Sequence, residues 1–403
     1  MFSSYKDMPK DATYLICAAF LPSVAYGMFY TDISYFLTTI QGVSYELMGL
    51  AITAMGVSTF IASIFLGTVA DVYGRKKMLI TGNVLASAIL IVFALTTNPV
   101  VLLAAAILEG ISEAAVLASS NALLADKTEN AKRNSVFSMY GFVTSIAYGL
   151  GSIAIPAVAI FELFGFTNKE SHVLLYIVMA ILSLASTLIM LKVSELKKLG
   201  KRGLGIKTLF PRKSKGVLSK YVLTGAIIAF GAGMFVPLMT VWFGLQYGIS
   251  DAVSGPILGV SSLLIGAAIL VAPPLARRLG LINAIVVTQT LSTVFMFATP
   301  LAPNFASASL VYSIRALLMN MASPLQQSMI MGLVAADERG AASGLSGALW
   351  RLPNALSTFV GAWLMGIGLL AAPFFVGAIF YIVSILLFWF YFRKVRMPEE
   401  QVT

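Results

Sequence analysis

One cysteine and one histidine are all that 403 residues supply. Cys17 has no second cysteine to bond with, so no disulfide can close within the chain. A lone His172 cannot furnish the imidazole sets of common zinc sites, and a Ser/His/Asp triad is not expected around it. His172 falls just ahead of an apolar run and is expected at an exposed outer loop. No glycine-rich loop ending in Lys-Ser/Thr occurs, which excludes ATP drive from within the chain. The fragment Gly149-Leu150-Gly151 mimics part of a dinucleotide loop but lies in an apolar run with no strand before it. No metal, no cofactor and no enzymatic chemistry are expected. Charge is scarce too, at 11% of residues. A soluble domain carries about 25%, so this chain cannot cover a water-facing surface.

What is abundant is apolar sequence, at 59%. Runs of about 20 residues, enough to cross a bilayer, recur over 12–41, 46–70, 78–96, 99–125, 135–161, 173–193, 218–247, 253–276, 282–301, 304–335, 341–370 and 372–393. The reading is an all-α polytopic membrane protein with twelve transmembrane helices, numbered here as spans in chain order. A net charge of +10 would suit nucleic acid, but its distribution argues for a membrane instead. Lys169 alone falls on one side, Arg315 and Arg351 fall inside apolar runs, and every other Lys and Arg falls on the opposite side. That bias places both termini in the cytoplasm; the plasma membrane is the expected location, and no nucleic-acid partner is expected. The first run is too long for a cleavable signal peptide, and Lys6 and Lys10 hold its start inside.

Residues 194–217 interrupt the pattern with a crowd of lysines and arginines among Gly200, Gly203, Gly205 and Pro211. This reads as a basic cytoplasmic linker facing anionic headgroups, between a six-helix bundle over 1–193 and another over 218–403. The two halves repeat. A shift of 206 residues lays Gly27-Met28-Phe29 on Gly233-Met234-Phe235, Gly42 on Gly248, Gly74 on Gly280, Asn98 on Asn304 and Arg133 on Arg339. One ungapped register over so long a stretch implies two pseudo-symmetric bundles.

The turn between the second and third spans reads Gly67-Thr-Val-Ala-Asp71-Val-Tyr-Gly74-Arg75-Lys76-Lys77. A carboxylate, a turn glycine and three cations cannot lie in hydrocarbon, so the chain must turn there in cytoplasmic water. The pattern closely resembles the signature loop of the major facilitator superfamily, whose members are twelve-helix secondary transporters. The resemblance implies that Asp71 caps the cytoplasmic start of the eleventh span and that Arg75 pairs with Asp126. With Gly67 and Gly74 these residues would form a conformational latch. It further implies that the first, fourth, seventh and tenth spans line a central cavity, and that the second span meets the eleventh and the fifth the eighth. Glycines at 49 and 56, at 141 and 149, at 255 and 259, and at 340 and 344 supply close-approach surfaces on those four spans. The sequence departs from the family in two places. Ala106, not Arg, precedes Gly110 in the fourth span, and the fifth lacks the G-x-x-x-G-P pattern of antiporters.

Asp32, Glu109, Glu113, Arg315 and Arg351 lie within apolar runs. A charge facing lipid at mid-membrane costs about 2.5–3.5 kcal/mol, so these residues must face water or one another. Helical rise puts Asp32, Glu109, Arg315 and Arg351 roughly 15 Å deep, which suggests a polar chamber. The shift pairs Glu109 with Arg315, and both are expected at the substrate cavity, as an ion pair or a substrate-dependent switch. Arg351, beside Trp350 and Pro353, is expected there as well. Asp32 and Glu113 match Leu238 and Met319 under the shift and so have no symmetric partner. A carboxylate withdrawn from water can hold and release a proton, which makes Asp32 first and Glu113 second the expected proton carriers. The sequence thus points to a monomeric secondary transporter, driven by protons, that exports a small organic or amphipathic molecule. Uptake of an organic anion, clamped by Arg315 and Arg351, is the other transport reading, and a non-transporting membrane receptor is the reading from outside that class.

Overall fold

In the computed structural model the described residues are 8–128, 133–194, 213–268, 272–335 and 338–394, with some helical residues, Gly67 and Asp71 included, described only as backbone. Most of the basic stretch 194–217 likewise lies outside the described residues. Among the described residues ten helices are long and apolar enough to cross a membrane, and a shorter apolar one runs Asp251–Ile265. Helix and turn make up the described chain, with no strand among the described residues. Large apolar side chains such as Leu188, Leu310 and Phe390 stand exposed on the helix surfaces, as lipid-facing residues do.

The helices are α1 (Lys10–Tyr35), α2 (Tyr45–Tyr73), α3 (Arg75–Leu95), α4 (Pro99–Asp126), α5 (Arg133–Ile153), α6 (Ala157–Leu163), α7 (Asn168–Met190) and α8 (Lys215–Gly233). They continue as α9 (Met239–Tyr247), α10 (Asp251–Ala268), α11 (Ala272–Leu279), α12 (Leu281–Ala298), α13 (Phe305–Leu333), α14 (Arg339–Gly366) and α15 (Ala372–Phe392). Local chemistry sets the boundaries. Asn98 accepts hydrogen bonds from the backbone N–H groups of Val100 and Val101, and Asn304 does so from Ser307. Each thereby satisfies donors that a helix start leaves free. Gly74 has φ of 109° and Gly280 of 80°, a region that admits a sharp reversal between helices only without a Cβ.

Two expected continuous helices are broken, both by proline. The run 135–161 divides into α5 and α6, where Pro156 caps the second piece. The run 218–247 divides into α8 and α9 around a 3₁₀ turn at Val236–Leu238 that contains Pro237. Proline lacks the N–H that a continuing helix needs. Pro353, by contrast, stays inside α14. The last residues of the first expected span, Phe36–Ile40, are wound as π-helix.

The chain separates into two compact units, residues 1–203 with 250–263 and residues 204–249 with 264–403. In the first, α1 packs on α5 and α7, and α3 on α4 and α7. In the second, α8 packs on α14 and α15, and α12 on α13 and α15. The 206-residue shift converts the first set of pairs into the second, down to individual atoms. A Cβ on Gly27 would sit 2.0 Å from the Tyr148 carbonyl oxygen, and one on Gly233 would sit 1.9 Å from that of Asn354. Ser152 Oγ donates to the Gly27 carbonyl at 3.2 Å, while Thr358 Oγ1 donates to that of Gly233 at 3.1 Å. Each unit thus repeats one close helix crossing, made by a missing side chain and locked by one hydroxyl.

Candidate functional site

In the first unit, three ionisable side chains meet away from water. Asp32 and His172 are fully buried and Asp251 is almost so. Nε2 of His172 lies 3.2 Å from Asp251 Oδ2 and 3.7 Å from Asp32 Oδ1. Nδ1 is 2.8 Å from the Asn168 carbonyl, one turn back in α7, to which it donates. That bond fixes the ring and aims Nε2 at the two carboxylates. The ring stacks on Phe36, with centroids 5.7 Å apart. Among the described residues neither carboxylate oxygen of Asp32 has a hydrogen-bond partner, nor does the buried hydroxyl of Tyr176. One atom from each of the three side chains falls within 4.8 Å of the others. Two carboxylates and an imidazole in so small a space form a donor set that takes a proton or a cation.

The expectation that His172 is a surface residue is therefore corrected. Thr167 and Glu170 form a capping box that starts α7 at Asn168, ahead of the hydropathy boundary at residue 173. His172 thus enters the helix, and the helix carries it inward. The T-x-x-E spacing was visible in the sequence and signals a helix start. Asp251 carried no such signal, because nothing in the sequence relates α10 to α1 and α7.

Glu109 and Glu113 lie one turn apart on α4. Glu109 is buried, with Ser112 Oγ 3.4 Å from its Oε2. Glu113 is half-buried, and its Oε2 accepts from Thr59 Oγ1 at 3.1 Å and from Tyr30 OH at 3.3 Å. Tyr30 OH in turn lies 3.2 Å from Tyr26 OH. Within this unit, then, Asp32 and Glu113 have different companions. On α5, Gly149 meets Gly259 of α10, where a Cβ on Gly259 would come 2.7 Å from the Gly149 carbonyl.

In the second unit, Arg315 of α13 is buried beside a cavity of about 270 Å³. Its guanidinium lies 4.7 Å from the Phe235 ring centroid and 5.4 Å from that of Tyr381. Nη2 donates to the Tyr381 hydroxyl, while Nε has no partner among the described residues. Gln289 and Asn354 also line this cavity, as do the apolar faces of Met319, Trp350 and Phe388. Arg351 is not among the lining residues, although its neighbour Trp350 is. Glu109 and Arg315, equivalent under the shift, belong to different units.

At the α2–α3 turn, Arg75 Nη1 lies 2.5 Å from Asp126 Oδ2 and 3.2 Å from the Ala122 carbonyl. Lys76 Nζ donates to the carbonyls of Leu191 and Val193, each at 2.8 Å. Gly67 and Asp71 are described only as helical backbone.

A helical membrane protein with an internally repeated packing scheme, a turn carrying paired charges and a buried polar cavity belongs to the polytopic transport proteins. The family model of the Major Facilitator Superfamily matches residues 15–358, with a second match over 221–403, and the chain belongs to that family. It is 27% identical over 374 residues to the uncharacterized MFS-type transporter YdgK of Bacillus subtilis, covering 89% of each chain. It is 22% identical over 332 residues to multidrug resistance protein 2 of the same organism, covering 82% of each. The crystal structure of the nucleoside transporter NupG superposes with a TM-score of 0.76 at 16% identity, covering 96% of this chain and 100% of that one. The chain is a membrane transporter and not an enzyme.

Proposed function

We propose that the chain is a proton-coupled secondary transporter that exports a small organic or amphipathic molecule by alternating access. It would act as a monomer in the plasma membrane, with both termini cytoplasmic. The observation that carries the coupling is Asp32, whose carboxylate is fully buried in lipid-spanning helix, lacks a hydrogen-bond partner among the described residues and faces His172. With the imidazole protonated and both carboxylates ionised, the cluster holds a net charge of −1. One further proton brings it to zero. A buried site whose charge changes by one unit favours a dry surrounding in one state and a wet one in the other. That difference is what couples proton transfer to a change of access. Glu113, with its tyrosine and threonine hydroxyls, is the second carrier, and Glu109 faces the transport pathway one turn away.

Arg315 is assigned to cargo contact, and Arg351 to the neighbourhood of that site through Trp350. The turn holding Gly67, Asp71, Gly74 and Arg75, with Asp126 opposite, serves as a latch that opens and closes with each cycle. Export is favoured over uptake by the likeness to a protein named for multidrug resistance. Uptake of an organic anion is the second reading, supported by the buried cation at Arg315. Purified protein in vesicles with an imposed pH gradient decides the matter. Accumulation of organic probes against their own gradient when the proton gradient runs the opposite way supports export. Failure of any pH gradient to drive a broad probe panel refutes the coupling.

A further inference from the structure

Arg315 poses a problem of charge. It is only 3% exposed, yet among the described residues no carboxylate forms an ion pair with it. Its company is aromatic and neutral, namely the Phe235 and Tyr381 rings and the Tyr381 hydroxyl. Rings and a phenol offset part of the cost of withdrawing a cation from water but do not neutralise it. The Nε–H is left without an acceptor among the described residues. A second donor of the same cavity wall, Nε2 of Gln289, is also buried and without a partner among them. By contrast, the side-chain amide of Asn354 donates to the Ala229 carbonyl at 3.2 Å. Among the described residues, no aspartate or glutamate lines the cavity.

An unpaired buried cation and an unused amide donor in one wall share one chemical need, an anionic oxygen group. The rest of the wall mixes apolar surface, with Met319, Trp350 and Phe388 prominent, and neutral polar side chains such as Thr224, Asn320, Ser323, Gln326 and Ser384. The cavity volume is about 270 Å³. We propose that the cavity of the second unit selects a small amphipathic organic anion, with its carboxylate or sulfonate held by Arg315 and Gln289 and its apolar body against Trp350, Met319 and Phe388. This rests on the transporter reading above and holds for either direction of transport. Arg315 supplies charge and a planar pair of donors, which match a carboxylate in a way that a lysine ammonium does not. Gln289 orients the second oxygen.

The test uses three probes with one body and different heads, 3-phenylpropionate, 3-phenylpropan-1-ol and 3-phenylpropylammonium, titrated calorimetrically into the purified full-length protein. The expected result is that the anion binds at least tenfold more tightly than the alcohol and the cation most weakly. R315Q removes the preference, Q289L weakens the anion about tenfold while sparing the alcohol, and R315K falls between wild type and R315Q. Should R315Q fail to fold, R315K and Q289L carry the comparison. Equal binding of the three heads, preference for the cation, or an undiminished anion preference in both R315K and Q289L overturns the proposal. Vesicle transport keeps the two readings apart. Gradient-driven flux of the ammonium or alcohol without anion preference sinks this inference and leaves the transporter standing. An absence of flux for any probe, with anion binding intact, counts against transport and not against the site.

Discussion

Replacing His172 by alanine removes the only imidazole between two buried carboxylates. The magnitude follows from the geometry. At separations of 3.2 and 3.7 Å, each attraction is worth about 5 kcal/mol in gross Coulomb energy at an effective dielectric of 20. Most of that is consumed by withdrawing the ions from water. The net loss when one partner of a buried pair is deleted is about 3–5 kcal/mol, because an uncompensated charge stays behind. Loss of the stack on Phe36 adds roughly 0.5–1.5 kcal/mol. H172A should therefore unfold about 3.5–6.5 kcal/mol more readily than wild type. The measurement is reversible unfolding in mixed micelles titrated with SDS, followed by far-ultraviolet circular dichroism. The triple variant H172Q/D32N/D251N leaves no charge uncompensated, so it should recover most of the loss. A cost for H172A below about 1 kcal/mol, or a triple variant no more stable than H172A, would refute the claim that charge compensation holds these three residues together.

Transport by D32N should lose its response to an imposed proton gradient while retaining downhill exchange of cargo, and flux still driven by the gradient would remove Asp32 from the coupling. G27A and G233A should each cost about 1–3 kcal/mol, since the new methyl would meet a carbonyl oxygen that cannot rotate away. G225A, which would meet nothing within 4 Å, should be neutral or gain up to about 1 kcal/mol, because a helical glycine gives way to alanine. Equal effects at Gly225 and Gly233 would show that the close crossing at Gly233 does not set the cost. Arg75 and Asp126 are partly exposed, so R75A should change stability by only about 0.2–1 kcal/mol. If the turn is a latch, R75A should alter transport rate much more than stability, and R75D/D126R should restore the rate; an unchanged rate in R75A denies the latch.

The hydropathy runs, the 206-residue register and the charge asymmetry determined the membrane class, most span positions and the repeated construction. These are legible because bilayer thickness and backbone hydrogen bonding act on local sequence, residue by residue. The same holds for the turns at Gly74 and Gly280 and the caps at Asn98 and Asn304, each an outcome of one residue's own geometry. The depth argument put Asp32, Glu109 and Arg315 near mid-membrane and expected them to face water or one another; in the structure all three are buried. It could not say what would surround them. His172 and Asp251 are 79 residues apart, and only the packing of α7 and α10 brings their side chains to Asp32. Phe235 and Tyr381 likewise reach Arg315 from α8's end and from α15. Which partner a buried charge meets depends on how helices rotate and cross, and that is settled by contacts between distant segments that no local pattern records.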